Sequence, residues 1–108
     1  MLALTCKLGS ENYFSDQSSV GTCTNVSDQY CLAFTCRQVE IVKFIIWACS
    51  VTAEKELCEI EAKNLTEKLL KIKRVSCECQ FGNKGKDLDN EKFVLPPPPP
   101  SAGTEKGS

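Results

Sequence analysis

Residues 39–51 read VEIVKFIIWACSV, the one long apolar run in the chain. Taken as a strand, alternate residues fall on opposite faces. Val39, Ile41, Ile45, Trp47 and Cys49 share one face, and Val42, Phe44, Ile46 and Ala48 share the other. Apart from Glu40 and Lys43 near the start, both faces are apolar. A half-exposed strand would alternate with polar residues, so the pattern predicts a central strand covered on both sides. A buried helical segment would also be apolar, but the β-branched and aromatic content favours the strand. The run is too short for a membrane helix.

Cys49 near the end of the run directs attention to the other cysteines. A chain of 108 residues holds one domain at most. We assign residues 1–90 to a cysteine-rich domain and 91–108 to a proline-rich disordered tail. A domain of that size builds only a modest core. Its eight cysteines, Cys6, Cys23, Cys31, Cys36, Cys49, Cys58, Cys77 and Cys79, supply the missing constraint. That density implies a disulfide framework formed in an oxidising compartment. A zinc site is the rival reading, but the chain has no histidine and no paired CxxC knuckles. No metal or other cofactor is therefore expected. Two glycosylation sequons, at Asn25 and Asn64, agree with the secretory route. Residues 1–4 are too short for a signal peptide, so a mature chain is expected. The net charge of −1, with acids and bases interspersed, argues against nucleic-acid and anionic-membrane partners.

Working outward, residues 29–49 form one long hairpin with its tip near residues 37–40. Residues 3–8 read as a short first strand carrying Cys6. Residues 9–21 are polar and read as a loop or hairpin tip, with Tyr13 and Phe14 in the middle. Residues 22–26 are a candidate return strand carrying Cys23, and a turn covers residues 25–29. Beyond Val51 the pattern changes. Cys58, Ala62, Leu65, Leu69 and Ile72 form one helical stripe. Glu59–Lys63 and Glu67–Lys71 are favourable pairs one turn apart. Thr52 is a plausible N-cap, and the ends carry the charges a helix dipole favours. These signals predict one helix over residues 53–73, packed on its own domain rather than in a coiled coil. Residues 75–81 alternate again as a final strand, with Cys77 and Cys79 on one side. Residues 82–90 are turn-rich coil. The expected fold class is a small disulfide-rich antiparallel β domain with one added helix.

Several short motifs carry a resemblance: LTCKLG (4–9), TC (22–23), QYC (29–31), IIWACSV (45–51), Cys58, VSCEC (75–79) and DLDN (87–90). Together they resemble a three-finger domain of the lymphocyte-antigen-six/urokinase-receptor type. The likeness is nearer to nematode secreted cysteine-rich proteins of the ET-module group, and covers residues 2–90. It implies bridges Cys6–Cys31, Cys23–Cys49 and Cys58–Cys77. The family's fourth bridge joins the position of Cys79 to one that is Asp89 here. Cys79 and the extra Cys36 are then left over, and their pairing stays open because a bridge needs Cα atoms within about 7 Å. The resemblance also implies extracellular recognition of a protein or receptor through finger tips, often from a membrane tether.

No catalytic constellation is present. Without histidine there is no Ser-His or Cys-His pair. Asp87 and Asp89 do not make a calcium loop, nor Gly82 and Gly85 a phosphate loop. The expected function is a non-enzymatic binding module. Its candidate contact residues are Tyr13 and Phe14 in the first loop, with Arg37, Gln38 and Glu40 at the second tip. Tyr13 and Phe14 equally suit a role covering the small core, and the sequence does not separate the two. An alternative function is a small helical carrier of an apolar ligand, with the helical stripe and residues 44–47 as walls. At the end of the chain, Pro96 to Pro100 form an extended spacer. Ser101-Ala102-Gly103 are of the kind that precedes a lipid-anchor site. Two expectations stand there: a cell-surface stalk whose anchor is lost from this chain, or a secreted protein with a disordered end.

Overall fold

A computed structural model describes residues 3–39 and 41–97. The elements follow in the order β1 (Thr5–Asn12), β2 (Asp16–Thr22), β3 (Tyr30–Gln38), β4 (Ile41–Ser50), α1 (Lys55–Leu70) and β5 (Val75–Phe81). The strands form one antiparallel sheet in the order β2-β1-β4-β3-β5. The apolar run is therefore the middle strand. Ile45 and Trp47 are buried on one face, while Phe44 and Ile46 are half-buried on the other. The fold is a small disulfide-rich β domain with one added helix, as the sequence predicts, and is compatible with a three-finger arrangement.

The β3–β4 hairpin and β5 lie where the sequence places them. The first hairpin does not. Residues 9–21 are mostly strand, and only residues 13–15 turn. The return strand expected over residues 22–26 ends at Thr22, and the loop of residues 23–29 includes the turn expected over 25–29. Ser, Asn and Asp read as loop formers, but β2 is an edge strand whose side chains are largely exposed, and there polar residues cost little. Gly9 holds a left-handed φ of 101°, and a Cβ there would meet the Gln17 carbonyl.

Four disulfides staple the sheet. Cys6–Cys31 and Cys23–Cys49 match the resemblance. The other two correct it: Cys36 bonds Cys77, and Cys58 bonds Cys79. The reason is topological. β5 runs beside β3 as far as Gln38, which puts Cys77 opposite Cys36. Cys79, on the same face of β5, is then left for the helix.

Helix α1 is shorter than expected at both ends. Thr52 is not its cap, because Ser50 Oγ accepts from the Thr52 N–H and donates to its carbonyl. Glu54 stands at the N-cap without a side-chain hydrogen bond, and Lys71 closes the helix at φ 55°. The expected stripe is also only partly buried. The helix faces the sheet through Ala62 and Thr66, whose small side chains allow close approach to β5 and β3. Thr66 Oγ1 lies 3.5 Å from Cys36 Sγ. Leu65 and Leu69 are left exposed. Two helix carboxylates tie down the edge strand: Glu67 accepts from the Val75 N–H and Glu59 from the Cys79 N–H. The Glu67 pKa is lowered, first by its bond to Lys63 and then by the Val75 N–H.

The opposite face is covered by the segment after β5. Trp47 donates its indole N–H to the Phe93 carbonyl at 2.9 Å, and the Lys7 ammonium sits 3.8 Å above its ring. Phe93 and Leu95 pack on Ala33, Ile45 and Trp47. Ordered packing thus runs past residue 90, beyond the boundary expected from composition. Asn90 is fully buried; it accepts from the Lys7 N–H and donates to the Lys7 and Leu32 carbonyls. One side chain thereby joins the C-terminal segment to β1 and β3. Residues 98–108, which hold most of the proline run and the residues proposed as an anchor signal, lie outside the described residues.

Candidate functional site

The two hairpin tips carry the candidate contact residues. At the first, Asn12 donates its N–H to the Ser15 carbonyl, and its side-chain oxygen accepts from the Phe14 N–H at 2.7 Å. Asp16 accepts from both the N–H and the hydroxyl of Ser18, which lowers its pKa, the hydroxyl having the larger effect. These local bonds close the turn and leave Phe14 97% exposed. Tyr13 behaves differently. Its hydroxyl donates to the Pro96 carbonyl at 2.7 Å, pinning the covering segment. Of this pair, Phe14 covers no core, and Tyr13 helps hold the cover in place.

At the second tip, Val39 takes φ 62° and donates its N–H to the Arg74 carbonyl. Arg37 is exposed. Gln38 is partly engaged, donating from its side-chain amide to the Lys73 carbonyl. Glu40 lies outside the described residues. Sequence reasoning missed that Lys73 and Arg74 join this tip. They are distant in sequence, and only the pairing of β5 with β3 brings them there. A fourth cation comes from a bulge. Cys36 pairs with Phe44 but Arg37 with Val42, which leaves Lys43 as the extra residue. A bulge re-aims a side chain, and Lys43 lines the same groove as Phe44 and Ile46. The second tip is therefore cationic, with Arg37, Lys43, Lys73 and Arg74 all exposed.

Between α1 and the open half of the sheet runs an apolar groove. One stretch, of about 440 Å³, is lined mainly by Phe14, Phe34, Phe44, Ile46, Leu65 and Leu69. It continues toward the start of the helix past Leu32, Leu57 and Ala62, with Phe34 and Leu65 common to both parts.

Other clusters have structural explanations. The sulfurs of Cys6, Cys23 and Cys49 lie within 4.8 Å of one another. All three are in disulfides, so none is a thiolate ligand. Asp89 is buried in the turn after β5. It accepts from the Asn83 N–H and pairs with Lys86 and Lys92, so its carboxylate fastens this turn. Gly82 makes room for it, since a Cβ there would press on Asp89. Asn25 lies on an exposed turn, its side chain accepting from the Ser27 N–H. Asn64 is exposed on α1. Among the described residues, no helix is long and apolar enough to cross a membrane.

A scan against protein-family models and searches of the curated proteins and of the solved structures find no match to the chain.

Proposed function

We propose that this chain is a non-enzymatic extracellular recognition module of three-finger type that binds a protein partner through its hairpin tips. The observation that carries the reading is Phe14: a large aromatic almost wholly in solvent, on a turn closed by its own hydrogen bonds. Exposing such a ring is unfavourable unless a partner covers it, and a pre-ordered aromatic suits a binding hot spot. The cationic second tip adds a preference for acidic groups on the partner. Four disulfides support a secreted protein or one on the outer face of the plasma membrane. Asn25, on its exposed turn, suits a glycan well away from both tips. The carrier reading has less support, because five strands and a single helix make the domain and the groove walls are half-exposed.

The test is a binding screen of the biotinylated protein against a panel of receptor ectodomains, repeated with Phe14→Ser and Arg37→Glu. Phe14→Ser should weaken binding to any hit about 30-fold or more, the loss expected for a hot-spot side chain. Hits that bind both variants as tightly as the parent would remove the tips from the function.

A further inference from the structure

Helix α1 leaves a stripe in solvent. Leu57, Leu65 and Leu69 are 50%, 52% and 67% exposed, and Glu61 completes the one-turn spacing. The stripe borders the groove floored by Phe44 and Ile46. Apolar side chains so arranged mark a surface that another element covers.

The charges indicate which element. Beside the leucines, Glu54 and Glu61 line the groove near the start of the helix, and Lys68 stands one turn from Leu65 toward its end. Glu56, Glu59 and Lys63 lie on the other side of the helix, toward β5. The leucine face is therefore acidic at its start and basic at its end. Such a face is complementary to itself run antiparallel, the relation given by a two-fold axis perpendicular to the helix.

We propose that a second copy of this chain is the occupant, docked through α1 in a two-fold dimer. With the axis near Leu65, the Leu65 side chains meet and Glu61 of each copy faces Lys68 of the other. Each helix then lies along the groove of its partner, covering Phe44 and Ile46. The arrangement leaves no room for a glycan on Asn64, which adjoins Leu65. Of the hairpin-tip residues named for partner binding it uses Phe14, at the margin of the groove, and Lys43, which lines it.

Sedimentation velocity over a concentration series of the intact, oxidised protein tests this. A monomer–dimer equilibrium is expected, weakened by salt because its complementary charges are screened. Leu65→Glu should leave a monomer with unchanged circular dichroism and intact bridges. Glu61→Lys and Lys68→Glu should each raise the dissociation constant about tenfold or more, and the double exchange should restore it. A monomer at every concentration overturns the proposal, as does a dimer indifferent to these substitutions. So does a mature protein carrying a glycan on Asn64, or a native mass spectrum showing an acyl chain bound to the monomer.

Discussion

The two faces of the sheet are finished by different means. One buries Trp47, Ile45 and Ala33 beneath the segment after β5. That segment is held by packing and by buried hydrogen bonds from Trp47 and Asn90, with no covalent tie of its own to the sheet. The other face is only half-covered. Its helix packs through small residues, and a disulfide from Cys58 to Cys79 fixes it. A chain this short lacks apolar material to build two full cores. The comparison shows a division: the cover of the Trp47 face is held by side-chain packing and hydrogen bonds, and the cover of the helix face by small contacts and a cross-link.

The largest break in that comparison should come from Trp47→Ala. Emptying the site of a buried aromatic costs about 3–5 kcal/mol, and the Phe93 carbonyl also loses its donor. Phe44→Ala, on the half-open face, should cost markedly less because Phe44 is only half-buried. Urea unfolding of both variants under oxidising conditions measures the difference. Equal losses would mean that the two faces share the core evenly.

Next in size is the paired change Cys58→Ala with Cys79→Ala. The bridge closes a sequence separation of 21 residues, and loop closure of that length stabilises by about 3 kcal/mol. The loss should be local. With the cross-link gone, α1 keeps the Glu59 and Glu67 contacts to β5 but little apolar cover. Hydrogen exchange should accelerate across α1 and β5 while β1 and β4 stay protected. Uniform acceleration over the whole sheet would show that the cross-link supports the core rather than the helix alone.

How much of this was legible depended on range. The central strand declares itself by an apolar run rich in β-branched and aromatic residues, and β5 by local alternation, since burial on a half-covered sheet repeats every second residue. The helix announced itself too, but its buried side did not. Periodicity places Leu65 and Leu69 inward, whereas the helix lies at the β5 side of the sheet and presses on it through Ala62 and Thr66. The pairing of Cys36 with Cys77 was hidden because it requires knowing that β5 lies beside β3. The same ignorance concealed Lys73 and Arg74 at the second tip. Of the candidate contact residues, Phe14 stands free, whereas Tyr13 and Gln38 are engaged by backbone carbonyls that no local pattern foretells.

The smallest effect lies at the turn after β5, which Asp89 fastens. Asp89 fastens that turn by charge and hydrogen bonding rather than by a covalent bond, so the fastening is sensitive to pH. Its pKa is lowered chiefly by the Asn83 N–H, with Lys92 and Lys86 adding to the effect against the opposing cost of burial. A carboxyl group depressed in the folded state stabilises above its unfolded pKa of about 3.9. That contribution fades as pH falls through the lower, folded value. The parent should therefore lose stability below about pH 4 more steeply than Asp89→Asn, which keeps a side-chain oxygen for Asn83 but carries no titrating charge. Near neutral pH the variant should be modestly weaker than the parent, because Lys86 and Lys92 lose their partner. Thermal melts of the two proteins across this range measure the difference. Parallel curves through the acid limb would mean that the turn is held by the close packing of Gly82 on Asp89 rather than by its charge.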